Sequence, residues 1–243
     1  MQKSFLLLFI LPAFLNAKAQ SQDSGGRDSV IHLKGGQLRL TPFGFPEQIL
    51  VSPGQDSLLA ENIHFHFTRQ SDGKDIRLKS QGVQYSKATS KKQEWKATAA
   101  SDELREVVTA TLDNTGLLNY SVQVEVLADL DIKDITMHIP FRKEMAGFMK
   151  GLGMNYGARP DSMFLWKWET GKQDAQRVWI GAPKTGLQYT LAGGRDWTNE
   201  GKGGVGIGIK GKSMLANNYT GPRHLQKGDT LRYNFSLLIA PGE

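Results

Sequence analysis

Apolar and polar residues alternate with a period of two through most of this sequence, which constrains its fold more than any other feature. Near the end of the chain Leu231, Tyr233, Phe235, Leu237 and Ile239 share one parity, opposed by Arg232, Asn234 and Ser236. Leu118, Tyr120, Val122, Val124 and Val126 stand in the same way against Asn119, Ser121, Gln123 and Glu125. The segment 106–112 leads into them through Asp113-Asn114-Thr115-Gly116, a good hairpin turn. Ile63, Phe65 and Phe67 alternate with Asn62, His64 and His66. Successive strand side chains point to opposite faces, so each run offers one face to a core and one to solvent. Phe164, Trp166 and Trp168, then Leu187, Tyr189 and Leu191, then Val205, Ile207 and Ile209 repeat the habit. Met137 and Ile139 belong to a strand that Pro140 is expected to end, and 143–152 is the one candidate helix, weakened by Gly147. A dozen or more strands with scarcely a helix predict an all-β fold, a large antiparallel β-sandwich of the supersandwich kind.

Residues 1–19 read as a secretory signal peptide. Lys3 gives the positive start, 5–15 the apolar run broken by Pro12, and Ala17-Lys18-Ala19 the small-residue cleavage site. That run is shorter than the roughly 20 residues a membrane span needs, and no later segment approaches that length. A secreted or periplasmic location without a membrane span is therefore expected. Residues 20–30 form a polar lead-in, 31–240 the sandwich, and 241–243 a linker start or a terminus.

The chain has no cysteine, which removes thiolate metal sites and cysteine nucleophiles. Its formal net charge of +6 includes Lys3 and Lys18 of the leader, and Lys91-Lys92 is its longest basic run. Both signs are interspersed, so nucleic acid is not an expected partner.

Several motifs carry chemistry in other settings. Gly201-Lys202-Gly203-Gly204-Val205-Gly206 matches G-x-G-x-x-G, but a β-alternating run follows where a dinucleotide site needs a helix. These glycines are read as letting a neighbour lie close to a strand. His64 and His66 share a strand face, and a metal would need a third ligand from His32, His138 or His224. Nothing in the sequence brings one near, so neither metal nor cofactor is assigned. Asp129, Asp131 and Asp134 lack the glycine and closing glutamate of a calcium loop and are read as a turn.

The richest stretch is 151–181, which holds Trp166, Trp168 and Trp179 beside Arg159, Asp161, Glu169 and Arg177. Exposed rings beside fixed polar groups suit a sugar face with its hydroxyl rim. Trp197, Arg195, Arg159 and Asp161, with Trp166 and Trp168, are the candidate carbohydrate-binding residues. The competing reading places the tryptophans in the core between two sheets. A glycosidase would need two carboxyls at a set separation. Asp161, Glu169 and Asp196 are the candidates, and the sequence does not set any two of them opposite each other.

The ordered set GLGMNYGARPDSMFLWKWE, RVWIGAPKTGLQYTL, GGVGIGIKG and DTLRYNFSLLIAP resembles the N-terminal β-sandwich of glycoside hydrolases related to family 123. The resemblance is clearest over 139–241 and thinner over 36–134. It implies an exported bacterial enzyme acting on glycans, in which a (β/α)₈ barrel follows the sandwich and carries the catalytic acidic pair. No barrel lies within this chain, so no catalytic residue carries over. The expected role is a non-catalytic accessory domain that supports such a barrel and touches glycan. A complete small carbohydrate-active enzyme and a protein-interaction scaffold are the alternatives.

Overall fold

Most of the period-two runs become strands with the buried parity they predict, although Ile209 is exposed and Phe65, Phe164 and Trp166 are only half-buried. Leu118–Val126 buries Leu118, Tyr120, Val122, Val124 and Val126, while Asn119 and Ser121 are exposed. Thr230–Ala240 buries Leu231, Tyr233, Phe235 and Leu237 and leaves Ile239 half-buried. The computed structural model describes residues 30–33, 35–51, 56–86, 89 and 92–241. The expected signal peptide and all of the lead-in but Val30 lie outside the described residues.

Three antiparallel sheets result. A nine-stranded sheet runs in the order Met154–Ala158, Phe148–Gly151, Gln176–Ala182, Thr185–Leu191, Thr230–Ala240, Leu118–Val126, Leu104–Asp113, Lys92–Ala100 and Lys79–Tyr85. A six-stranded sheet centres on the long strand Leu130–Arg142, which pairs with His64–Arg69, Ser213–Tyr219 and Arg223–Leu225. Gly204–Lys210 and Phe164–Lys167 extend it beyond Ser213–Tyr219. Residues 31–57 contribute a four-stranded sheet. The two large sheets face each other: Phe65 of the smaller one lies 5.6 Å from Tyr233 and 6.4 Å from Phe235 of the larger, ring centre to ring centre. One apolar core runs from Ile31 to Leu237. The fold is the all-β sandwich that the alternation predicts.

Two local expectations are corrected. Pro140 does not end its strand, which continues to Arg142. Its carbonyl accepts from the Ala60 amide, and its absent N–H would point to that same side, where only the isolated Leu59–Phe141 bridge pairs. A proline is tolerated on such a sparsely bonded edge. The candidate helix 143–152 is one 3₁₀ turn, Lys143–Met145, followed by the strand Phe148–Gly151. Pairing with Gln176–Ala182 offers that strand a ladder of hydrogen bonds that outweighs a weak helical preference. The glycine-rich strand behaves as read: a Cβ on Gly204 would meet the Trp166 carbonyl at 2.4 Å, and one on Gly208 the Met163 sulfur at 2.8 Å.

Candidate functional site

The structure separates the residues nominated from sequence. Trp197 is 1% exposed, its Nε1 donates to the Asn234 carbonyl at 3.0 Å, and its ring lies 5.0 Å from Tyr233. It is a core residue, which corrects its assignment as a stacking ring for sugar. Trp168 is also buried, and only half-buried Trp166, 4.8 Å from it, keeps an accessible edge.

Asp196 is held by Arg223 at 3.4 Å and by the Arg232 amide at 2.8 Å, so it fixes the helical turn Arg195–Thr198 to the sheet. Exposed Glu169 pairs with Lys172 at 2.6 Å. Arg159 donates to the Ala146 and Pro160 carbonyls, while Asp161 and Arg195 are exposed. No interaction joins Asp161, Glu169 and Asp196 into one catalytic arrangement.

What the fold assembles instead is a face. On the outer side of the nine-stranded sheet, strand register sets Glu94, Thr111, Asn119, Ser236, Thr190 and Arg177 opposite one another in a single row across six strands. A second row sets Lys96, Thr109, Ser121 and Asn234 beside it. Neighbouring strands lie about 4.8 Å apart, so the centre of the face is a lattice of uncharged donors and acceptors at that spacing. Charges stand at its margins. A cleft of about 550 Å³ lies over Thr109, Thr111, Asn119, Ser121, Asn234 and Ser236. Each of these side chains was visible as the polar parity of a strand, but their alignment was not.

A buried indole, Trp179, covered by half-buried Tyr156 and Phe148, closes one end of the rows. Trp179 lies on the same face as Arg177, with Tyr156 at 5.5 Å and Phe148 stacked on Tyr156 at 5.7 Å. The indole fits because the paired Gly181 and Gly186 beneath it have no side chains: a Cβ on either would meet its Cζ2, at 2.7 and 2.6 Å. Its Nε1 donates to the Ala240 carbonyl at 3.2 Å. A second cleft, of about 300 Å³, is lined there by Tyr156, Arg177, Trp179 and Gln188. Gly186→Ala is expected to lift the ring and lower stability by about 1–3 kcal/mol. A fall in melting temperature together with a shift in tryptophan fluorescence would show it, and an unchanged protein would refute the close approach.

The acidic triplet is dispersed. Asp129 accepts from the Lys227 amide, Asp131 pairs with His224 at 2.7 Å, and Asp134 accepts from the Thr220 and Gly221 amides. Asp131 and Asp134 lie in the strand Leu130–Arg142, which corrects their reading as a turn. The histidines converge: His138 stands opposite His64 in register and within ring contact of His66. Burial lowers the pKa of His64 and, with the neighbouring imidazoles, pushes that of His138 down to about 3. His224 lies elsewhere with Asp131, and His32 lies in the strand Ile31–Leu33.

The fold is a large antiparallel sandwich whose larger sheet presents a polar outer face. A sequence model of the third domain of glycoside hydrolase family 123 matches residues 26–241, and the chain belongs to that family. No curated protein matches it by sequence.

Among solved structures, HI1317 is similar at 8% identity and a TM-score of 0.52, covering 87% of this chain and 91% of that one. A putative aldose 1-epimerase from Escherichia coli K12 is similar at 9% identity and a TM-score of 0.49, covering 87% and 99%. The heparan sulfate lyase HepC from Pedobacter heparinus aligns at 9% identity and a TM-score of 0.46, covering 85% of this chain but 33% of the lyase. At such identities, likeness to HI1317 speaks to the fold alone.

Proposed function

We propose that this chain is a non-catalytic accessory sandwich of an exported glycoside hydrolase, which supports a catalytic barrel and binds glycan across the outer face of its nine-stranded sheet. The observation that carries this reading is the row Thr111, Asn119, Ser236 and Thr190, uncharged hydrogen-bonding groups that run to Arg177 beside the Trp179 indole. A hydroxyl-rich ligand exchanges its water hydrogen bonds for such groups without the desolvation penalty that charges carry. The binding surface therefore moves from the loop around Trp197 to the sheet. Export rests on the leader-like residues 1–19.

The test is a titration of oligosaccharides into the purified chain by calorimetry. Thr111→Val, Asn119→Ala and Ser236→Ala are each expected to weaken binding by about 2–10-fold, the usual worth of one hydrogen bond. Stability should stay within about 0.5 kcal/mol, because surface positions seldom matter more. Affinity unchanged in all three variants would remove this face from consideration. Turnover of glycan by the chain, lost in Glu169→Gln, would favour the small-enzyme reading instead. A chain that neither binds nor cleaves glycan would leave the scaffold reading.

A further inference from the structure

The outer side of the smaller sheet carries a constellation that glycan binding does not use. His64 and His66 project from one face of the strand His64–Arg69, and antiparallel register places His138 directly across from His64. The three ring centres lie 4.6, 4.6 and 5.1 Å apart, and one nitrogen from each ring lies within 4.8 Å of the others. Among the described residues this is the one gathering of three groups able to share a metal ion.

The hydrogen bonds around the rings fix which nitrogens are free. His64 Nδ1 is 2.8 Å from the Asn62 carbonyl, which only accepts, so Nδ1 carries the hydrogen. His66 Nδ1 is 2.5 Å from Asp75 Oδ2, while the other carboxylate oxygen, Oδ1, accepts from the Thr68 hydroxyl at 3.0 Å, so Nδ1 is the donor here too. Both Nε2 atoms are then left with lone pairs, and they face each other at 2.8 Å. Two lone pairs at that distance repel. Something positive has to stand between them: a metal ion or one additional proton.

We propose that His64, His66 and His138 bind a divalent transition-metal ion, with zinc the ion that three neutral imidazoles suit best. A zinc ion holds histidine nitrogens at about 2.0–2.1 Å in tetrahedral array, which sets them about 3.3 Å apart. The present separations, 2.8 Å between the two Nε2 atoms and up to 4.8 Å across the trio, bracket that spacing. A shared proton would account for the His64–His66 contact but not for the approach to both rings of His138, which also hydrogen-bonds the Asn217 side chain.

The supporting shell is also in place, because ligating histidines usually donate their other N–H to a carboxylate or a carbonyl, as these two do. Asp75 adds negative charge at His66, and Lys210 adds positive charge felt by His138. A cleft of about 260 Å³ lined by His138, Leu165, Ile209, Lys210 and Asn217 adjoins the cluster and has room for a water or an incoming ligand at the fourth position. Three protein ligands and one exchangeable position distinguish such a site from a closed structural one.

The experiment is a zinc titration of the purified, chelator-stripped chain by calorimetry, with cobalt(II) substitution to report the coordination geometry spectroscopically. One ion per chain and a tetrahedral cobalt spectrum are expected. His64→Ala and His138→Ala should each weaken binding about 100-fold or more, and Asp75→Asn about 10–100-fold. His224→Ala, on the distant Asp131 pair, should leave affinity unchanged. Circular dichroism of each variant separates lost ligation from lost folding. A folded wild-type chain that takes up no stoichiometric zinc would leave a shared proton as the occupant and overturn the proposal. Equal affinity in a folded His138→Ala variant would overturn it as well.

Discussion

Raising the pH from about 4.5 to about 8 is expected to destabilise this protein chiefly through one buried side chain, Glu106, whose shift exceeds the upward ones of Asp134 and His224. The Glu106 carboxyl sits on the apolar parity of the strand Leu104–Asp113, 3% exposed, and its Oε1 has no hydrogen-bond partner among the described residues. The adjoining cavity of about 160 Å³ is lined by Phe45, Ile63, Phe65, Phe67 and Ile76. Burial there pushes the carboxyl up to about 8 from 4.5. Because the folded pKa is raised, the folded chain holds a proton that the unfolded chain releases between those values. Stability is fully present below the unfolded pKa and falls as pH climbs to the folded one. The loss amounts to something on the order of 3–5 kcal/mol.

Half-buried His138 works in the opposite sense, since a lowered folded pKa makes the protein lose stability as pH falls from 6.5 towards about 3. The decisive comparison is therefore between wild type and Glu106→Gln in urea melts across this range. The variant should lose most of the alkaline decline and keep the acidic one. An identical alkaline decline in both proteins would show that Glu106 is not the group responsible.

Trp197→Ala is the second large effect. The indole packs between Phe65, at 6.2 Å, and Tyr233, at 5.0 Å, and donates to the backbone of the strand Thr230–Ala240, which carries Asn234 and Ser236 of the polar face. Truncating a buried tryptophan typically costs about 3–5 kcal/mol, part of it from the cavity left behind. A fall of that size in unfolding free energy is expected, with glycan affinity unchanged in the protein that remains folded. A stable variant that had lost glycan binding would return Trp197 to the surface and move the site back to its loop.

That reversal shows where sequence reading stops. In the segment 193–199 glycine, arginine, aspartate and asparagine surround one tryptophan, the composition of an exposed loop. The segment folds instead into a helical turn that Asp196 pins to Arg223 and the Arg232 amide, driving the ring inward. Those partners are far away in sequence, so no local signal predicts the direction. Glu106 is the contrary case. Its place in step with Val108, Ala110 and Leu112 was legible as a carboxylate on a core parity.

The sequence by itself determined the strands and their inner and outer parities, because side chains of an extended backbone must alternate. It also carried the family, whose third-domain model matches residues 26–241. Only the tertiary structure decided which polar parities align across six strands into one face, which tryptophans are core, and that His138 meets His64 and His66. The reason is register. Alternation fixes the side of a sheet on which a residue stands, whereas its neighbours on that side depend on pairings between strands distant in the chain, and the whole core selects those pairings at once.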